Sequence, residues 1–127
     1  MAAPEQPRTL ISITGSDAAG FLQNLVTNDI TKGDLTYAAL LTPQGKYLAD
    51  FFVVQQGDGF LVDVATALAS GLAQRLTMYR LRADVVIAES DQSVSVGLTN
   101  APDGALADPR DPALGWRYYG PAVDADP

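Results

Sequence analysis

Apolar and polar residues alternate in several short stretches of this chain, and that alternation is typical of half-buried β-strands. Branched and aromatic side chains are frequent in the same stretches, as strands favour. The predicted strands comprise residues 9–14, 35–41, 46–55, 60–64, 83–89, 92–98 and 114–119. Pro43 and Gly45 suit the corner of a tight hairpin, so they predict the turn between the second and third strands.

Two other segments repeat apolar residues at spacings of three and four, which predicts amphipathic helices. The first helix has Ser16 as its candidate N-cap and should end near Asn28, and the second runs from Thr66 to about Tyr79. Their apolar faces comprise Ala18, Phe21, Leu22, Leu25 and Val26 in the first helix and Ala65, Leu68, Ala69, Leu72, Leu76 and Tyr79 in the second. The resulting order, β-α-β-β-β-α-β-β, predicts an α+β fold with a mixed or antiparallel sheet and two helices on one face.

The 127 residues suit one domain of ordinary size. We expect this domain to comprise residues 9–119, preceded by a loose arm at residues 1–8 and followed by a disordered acidic tail at residues 120–127. An apolar content of 47% supports a real core, and a charged content of 18% is too low for a disordered chain.

A net charge of −7 and the absence of histidine and cysteine narrow the possible functions. The acidic balance weighs against a nucleic-acid binder and against docking on anionic lipid. Without cysteine or histidine, the chain lacks the usual ligands of zinc, iron–sulfur and haem sites and the usual nucleophile systems. No signal peptide and no apolar run of roughly 20 residues is visible. We therefore expect a cytoplasmic protein that binds no metal of its own.

Asp50 is a single carboxylate within an otherwise apolar predicted strand. A carboxylate in such a place either faces solvent, pairs with a nearby arginine or belongs to a functional site. In an apolar pocket it would hold a cation or an N–H donor. The pattern of residues alone leaves these alternatives open.

Four blocks of the chain resemble, in the same order, blocks of the folate-binding YgfZ/GcvT superfamily. They are residues 15–29, the LTPQGK hairpin at 41–46 that leads to Asp50, residues 79–82, and the stretch 108–117 with its DPR and LGWR motifs. The resemblance extends from about residue 11 to residue 119. The LTPQGK and DPR motifs are most similar to the YgfZ branch. That branch's Lys-Gly-Cys-Tyr-x-Gly-Gln-Glu motif is missing, because the chain has no cysteine.

The resemblance implies a tetrahydrofolate-binding domain and leaves three functions open. The first is a YgfZ-type protein that supports iron–sulfur cluster assembly or repair without being an enzyme. The second is an aminomethyltransferase, like the T-protein of glycine cleavage, which transfers a one-carbon unit to tetrahydrofolate. The third is an interaction fragment whose site is incomplete, because the family's second half and C-terminal barrel are missing. We expect the chain to be the N-terminal portion of a longer protein, with that missing half as a partner.

The resemblance also implies which residues meet the folate. Asp50 would position the folate amine, and Asn28 with Asp29 would line the cavity, although both suit the end of a helix equally well. Tyr47, Phe51 and Phe52 would contact a flat ring, or else belong to the core. A further group, Arg80 and Arg82, would either bind the glutamate tail or complement the negative end of the second helix.

Trp116, Tyr118 and Tyr119 form an aromatic cluster near the end of the chain. If the missing half normally covers them, they are exposed here, and exposed apolar patches usually find a partner. We therefore expect a homodimer, formed through exposed or swapped strands.

Overall fold

The computed structural model describes residues 7–31, 33–41, 44–57 and 59–121. Its main sheet contains the strands β1 (Arg8–Thr14), β2 (Leu35–Leu41), β3 (Tyr47–Gln56), β4 (Gly59–Ala65) and β5 (Val86–Glu89). They lie in the order β2-β3-β4-β1-β5, and each neighbouring pair is antiparallel.

A small second sheet follows in the chain. Its strands are β6 (Ser93–Gly97), β7 (Leu106–Ala107) and β8 (Trp116–Gly120), in the antiparallel order β6-β8-β7. The helices are α1 (Ala18–Gln23) and α2 (Thr66–Arg80), with a short 3₁₀ turn at Pro112–Leu114. The predicted α+β class is confirmed, and both sheets are antiparallel.

The two faces of the main sheet have different coverings. In β4, Phe60, Val62 and Val64 point into a core that also contains Leu22 of α1 and Leu76 of α2. The alternate residues of β4 point the other way, because successive side chains of a strand lie on opposite faces. On that second face, a smaller apolar cluster joins the main sheet to the small sheet; it consists of Leu10, Val54, Leu61 and Val94. The helices cover one face, and the small sheet covers part of the other.

The first helix is shorter than predicted. It ends at Gln23, and the next residues lie along the edge of β2, where Val26 forms a bridge with Leu40. An open sheet edge offers unpaired backbone groups, and Thr27 satisfies two of them on Ala39. Ser16 does not cap the helix; its hydroxyl donates to the Asp84 carboxylate at 2.6 Å.

The region after α2 also differs from the prediction. The expected strand at residues 83–89 begins only at Val86, because residues 81–84 turn. Leu81 adopts a positive φ of 46°, and Asp84 exchanges backbone and carboxylate hydrogen bonds with Asp17. In α2, Ala69, Leu72 and Leu76 are buried, whereas Leu68 is 40% exposed and does not belong to the buried stripe.

Trp116 is buried, not exposed as expected. Only 6% of it is accessible, and its indole N–H donates to the carbonyl of Thr99 at 3.0 Å. The missing side chain of Gly97 makes room for the indole, since a Cβ there would lie 2.5 Å from the ring. Trp116 therefore no longer supports the predicted homodimer, which stays a prediction.

Other expectations lie wholly or partly outside the described residues. They concern Pro43 of the hairpin turn, the arm up to residue 6 and the tail from residue 122. Arg8, which was assigned to the arm, begins β1. In the described part of the chain, neither helix has the length and apolarity needed to cross a membrane.

Candidate functional site

The second face of the main sheet carries charged and aromatic side chains beside its apolar cluster. In β3, Ala49, Phe51 and Val53 point into the helix-covered core, so Asp50 and Phe52 point to the opposite face. Their neighbours on that face come from β1, β2, β4 and the segment from β7 to β8: Arg8, Tyr37, Asp63, Asp108, Arg110, Arg117 and Tyr119.

Asp63 lies at the centre of this face and is completely buried. Arg8 donates to its Oδ1 at 2.7 Å, and Arg117 donates to its Oδ2 at 2.7 Å. The Tyr119 hydroxyl donates to Oδ2 at 2.7 Å, and burial together with the charge of Asp63 raises the pKa of Tyr119 well above its ordinary value. Two guanidinium groups and one hydroxyl therefore satisfy one carboxylate, as a buried charge requires.

Phe52 provides an aromatic platform beside Asp63. The guanidinium carbons of Arg117, Arg110 and Arg8 lie 4.1, 4.9 and 5.8 Å from its ring centroid. A cation within about 6 Å of a ring centroid is attracted by the ring's negative face. The Tyr37 ring packs beside Phe52, with centroids 5.2 Å apart.

Asp50 has different surroundings from Asp63. It is partly buried, and it accepts hydrogen bonds from the hydroxyls of Tyr37 and Tyr47. Burial would raise the pKa of Asp50, but the two hydroxyls, its own backbone N–H and the charge of Arg8 together hold that pKa below the ordinary 3.8. None of the ion pairs found among the described residues involves Asp50. Asp50 is therefore an ionised acceptor whose charge no arginine contacts directly.

Tyr37 is the partner that keeps its proton. Burial and the hydrogen bond to Asp50 raise the pKa of Tyr37 to about 12. At neutral pH, Tyr37 donates and Asp50 accepts, and no proton needs to move between them.

A polar cavity of about 370 Å³ opens beside Tyr37. It is lined by Asn28, Gly33, Leu35, Thr36, Tyr37, Pro109 and Arg110. One wall belongs to β2 and the loop before it, and the other belongs to the loop after β7. The size lies within the range of small-molecule sites, in which a few polar groups converge on the ligand.

Arg110 is fixed on its side of the cavity by Asp108. Its Nε and Nη2 donate to the two carboxylate oxygens at 3.0 and 2.7 Å. Asp108 is buried, which would raise its pKa, but the hydrogen bonds and charge of Arg110 hold that pKa below its ordinary value. Arg110 is thereby held over Phe52 and over the Tyr37 ring, whose centroid is 5.5 Å away.

The structure places all four predicted binding residues around Tyr37. Asp50 and Phe52 lie on the second face, and Asn28 lines the cavity, where its side-chain amide donates to the Tyr37 carbonyl at 3.1 Å. Tyr47 is 59% exposed at the start of β3 and reaches the same carboxylate as Tyr37. Their role in binding stays a prediction.

Other candidate residues lie elsewhere. Phe51 is buried in the helix-covered core, which is the second of the two alternatives left open for it. Asp29 accepts hydrogen bonds from Thr31 within its own turn. Arg80 donates to the Val85 carbonyl at 3.4 Å, and neither Arg80 nor Arg82 lines the cavity.

Sequence reasoning missed Asp63 and the three arginines around Phe52. Asp63 carries the same signal as Asp50, since it is a carboxylate in an apolar strand. Arg110 and Arg117 belong to the DPR and LGWR motifs, which were used for the resemblance but given no place in the site. Arg110 and Arg117 lie close to Phe52 only because the small sheet packs on the main sheet.

Comparison with known proteins identifies relatives of the chain. The family model of the GCVT N-terminal domain matches residues 8–98. The iron–sulfur cluster assembly factor IBA57 homolog, mitochondrial, of Pyricularia oryzae is 33% identical and covers 93% of this chain. An aminomethyltransferase of Chromobacterium violaceum is 39% identical over 41% of the chain.

A solved structure has a similar fold. The glycine cleavage system aminomethyltransferase T from Bartonella henselae matches 70% of the chain with a TM-score of 0.63 and 17% sequence identity. The chain covers 26% of that structure, 35% of the Pyricularia relative and 16% of the Chromobacterium relative. It therefore spans about a third or less of the proteins it matches.

The comparison corrects one expectation. The fungal relatives, from Pyricularia oryzae, Chaetomium globosum and Mycosarcoma maydis, are named as mitochondrial proteins, which contradicts the predicted cytoplasmic location. The absence of a visible signal peptide was too weak a basis for that prediction.

The superfamily indicated by the sequence motifs is confirmed. Because the family model covers well over half of the chain, from β1 to the end of β6, this chain belongs to the GCVT N-terminal domain family, within the YgfZ/GcvT superfamily.

Proposed function

We propose that this chain supplies a tetrahydrofolate-binding surface to a YgfZ-type protein that supports iron–sulfur cluster assembly. The observation that carries the proposal is Asp50, an ionised carboxylate that accepts from two tyrosine hydroxyls and pairs with no described arginine. Reduced folates carry N–H groups that such an acceptor binds with charge-assisted hydrogen bonds.

The surroundings of Asp50 fit the rest of a folate. Asp50 does not itself line the cavity of about 370 Å³ but is hydrogen-bonded to Tyr37, which forms one side of it, with Arg110 on the other. Flat aromatic rings pack well against such walls. A cavity of this size would accommodate part of a tetrahydrofolate, and the relatives are longer proteins with more surface to contribute.

The assembly role is supported by the relatives that cover most of the chain. Two fungal proteins named as iron–sulfur cluster assembly factors match 93% and 87% of it. Because the chain has no cysteine or histidine, it has no usual ligands for a cluster. Its contribution to assembly would therefore act through folate or through a protein partner.

An aminomethyltransferase is the second candidate, because the similar solved structure is one. The pKa of Asp50 argues for anchoring rather than for proton transfer. An efficient general base has a pKa near the working pH, whereas that of Asp50 is held below 3.8. We accordingly assign Asp50 the role of an anchor for a folate N–H group.

The proposal is tested by titrating tetrahydrofolate into the chain and into Asp50→Asn, with heat or intrinsic fluorescence as the signal. Asn keeps the size of Asp but removes its charge, so we expect affinity to fall about 10-fold or more. The control is Asp91→Asn, which removes an exposed carboxylate at the turn between β5 and β6. Equal affinity in Asp50→Asn and the unaltered chain would refute the role of Asp50.

Two further measurements separate the candidates. One-carbon transfer to tetrahydrofolate by the longer protein, abolished by Asp50→Asn, would favour the aminomethyltransferase. The absence of saturable binding to this chain would favour the interaction fragment with an incomplete site.

A further inference from the structure

Arg110 has an unused edge. A guanidinium group carries five N–H donors, and Asp108 takes the edge formed by Nε and Nη2. No hydrogen bond from Nη1 is found within the part of the chain that the structure describes. The Nη1 edge can therefore hold a second carboxylate, or a carbonyl, in the same forked geometry.

The charges around Phe52 make this end of the site an anion acceptor. Arg8, Arg110 and Arg117 approach the Phe52 ring, and two carboxylates, Asp63 and Asp108, pair with them. Three guanidinium groups against two carboxylates leave an excess of one positive charge. The balancing negative charge is Asp50, which lies toward the hydroxyl end of Tyr37. The site thus has a hydrogen-bond-accepting end at Asp50 and an anion-binding end at Arg110.

Tyr37 contacts both of these groups. Its hydroxyl donates to Asp50, while Arg110 lies over its ring. A ligand that lies along Tyr37 and reaches both residues needs a hydrogen-bond donor toward Asp50 and an anion toward Arg110. The aminobenzoyl-glutamate part of a folate has this layout, with an amine at one end of the ring and an acyl-glutamate at the other.

We infer that Arg110 recognises the acyl-glutamate end of the folate, with the aminobenzoyl ring alongside Tyr37 and its amine toward Asp50. The inference rests on the proposed function and assigns the tail-binding role, once expected of Arg80 and Arg82, to Arg110. Arg110 lies outside residues 8–98, the part matched by the family model, so a segment beyond that match supplies this specificity.

The test compares three probes: tetrahydrofolate, a tetrahydropterin without the aminobenzoyl-glutamate, and free aminobenzoyl-glutamate. Each is titrated into the unaltered chain, Arg110→Gln, Arg110→Lys and the control Arg82→Gln, which removes an exposed arginine away from the cavity. We expect Arg110→Gln to weaken the binding of tetrahydrofolate and of aminobenzoyl-glutamate about 10- to 100-fold and to leave the binding of tetrahydropterin unchanged. Arg110→Lys should lose less affinity, because it keeps the positive charge but not the paired N–H donors of the guanidinium group.

Arg110→Gln also leaves buried Asp108 without its cation, so thermal unfolding of each variant is recorded. Arg110→Lys still neutralises Asp108 and gives a folded protein for the comparison. The two truncated probes, tested on the unaltered chain, require no variant at all.

The outcomes separate the inference from the proposed function. If Arg110→Gln loses the same affinity for all three probes, or none for tetrahydrofolate, Arg110 does not bind the acyl-glutamate end. Tetrahydropterin binding as tightly as tetrahydrofolate to the unaltered chain would overturn the inference while the proposed function stands. Binding of none of the probes would overturn both.

Discussion

Asp50 and Asp63 are the same chemical group on the same face of the main sheet, and their surroundings give them opposite roles. Asp63 is wholly buried, and two guanidinium groups and a hydroxyl complete its coordination. Asp50 is partly buried, and its neighbours are two neutral hydroxyls. Asp63 has no capacity left for a ligand, whereas Asp50 retains its negative charge next to Tyr37, which lines the cavity.

The difference arises from position in the sheet. β4 is the central strand of five, so Asp63 lies where the small sheet packs on the main sheet and brings Arg117 and Tyr119. Asp50 pairs with Ala39 of β2, next to the sheet edge, where the small sheet contributes Arg110 at a distance. A central carboxylate needs permanent partners, whereas one near an edge can exchange water for a ligand.

The largest effect is expected for Asp63→Asn. The substitution leaves Arg8 and Arg117 close together without a countercharge, and breaking such a buried pair costs about 3–5 kcal/mol. Urea unfolding of the variant and of Asp91→Asn, an exposed control, measures the difference. A loss under about 1 kcal/mol would mean that Asp63 is not the group that joins the two sheets.

Much of the main sheet could be predicted from the sequence, but the contacts of Asp63 could not. Alternation places Asp63 on the face opposite Phe60 and Val62, so local pattern predicts its direction. Its partners are more than 50 residues away on β1 and β8, and nothing local encodes that meeting. Asp50 was found because it stands alone in its strand. Arg110 was missed for the same reason of distance, whereas Tyr37, only 13 residues away on the neighbouring strand of the predicted hairpin, was overlooked.

The first helix shows the same limit. Apolar spacing predicts that it continues to Val26, yet residues after Gln23 bond to the edge of β2. Periodicity records which side chains are buried but not which backbone partner they choose.

A smaller loss of stability is expected for Tyr119→Phe. It removes one donor to Asp63 and leaves both arginines in place. A hydrogen bond to a charged group contributes about 1.5–3 kcal/mol, so stability should fall by less than in Asp63→Asn. The measurement is again urea unfolding, with Tyr118→Phe as the control; a loss equal to that of Asp63→Asn would show that the hydroxyl, not the ion pairs, holds the sheets together.

Asp50→Asn should barely change stability, at most about 1 kcal/mol at neutral pH. Its folded-state pKa is below the ordinary 3.8, so the unfolded state binds the proton more tightly. The charge of Asp50 therefore stabilises the fold above pH 3.8, and this contribution is lost as the pH falls through the lower, folded-state pKa. Urea unfolding at a series of pH values should show the two proteins converging in acid. If the difference in free energy of unfolding between the two proteins grows as the pH falls, the pKa of Asp50 is not lowered by folding, which would contradict an ionised Asp50.

The smallest effect concerns Tyr37 and leaves stability almost unchanged. Burial is the largest cause of its pKa of about 12, followed by the hydrogen bond to Asp50 and the charge of Asp50. Asp50→Asn removes the negative charge but not the burial, so the pKa should fall while remaining above the ordinary 10.0. NMR titration of the tyrosine ring carbons follows each of the five tyrosines separately, and Asp91→Asn should leave Tyr37 unchanged. If Tyr37 keeps its high pKa in Asp50→Asn, burial alone sets that pKa, and the hydrogen bond from Tyr37 to Asp50 is refuted. If the pKa of Tyr37 falls fully to 10.0, Asp50 alone raises it, and burial is not its largest cause.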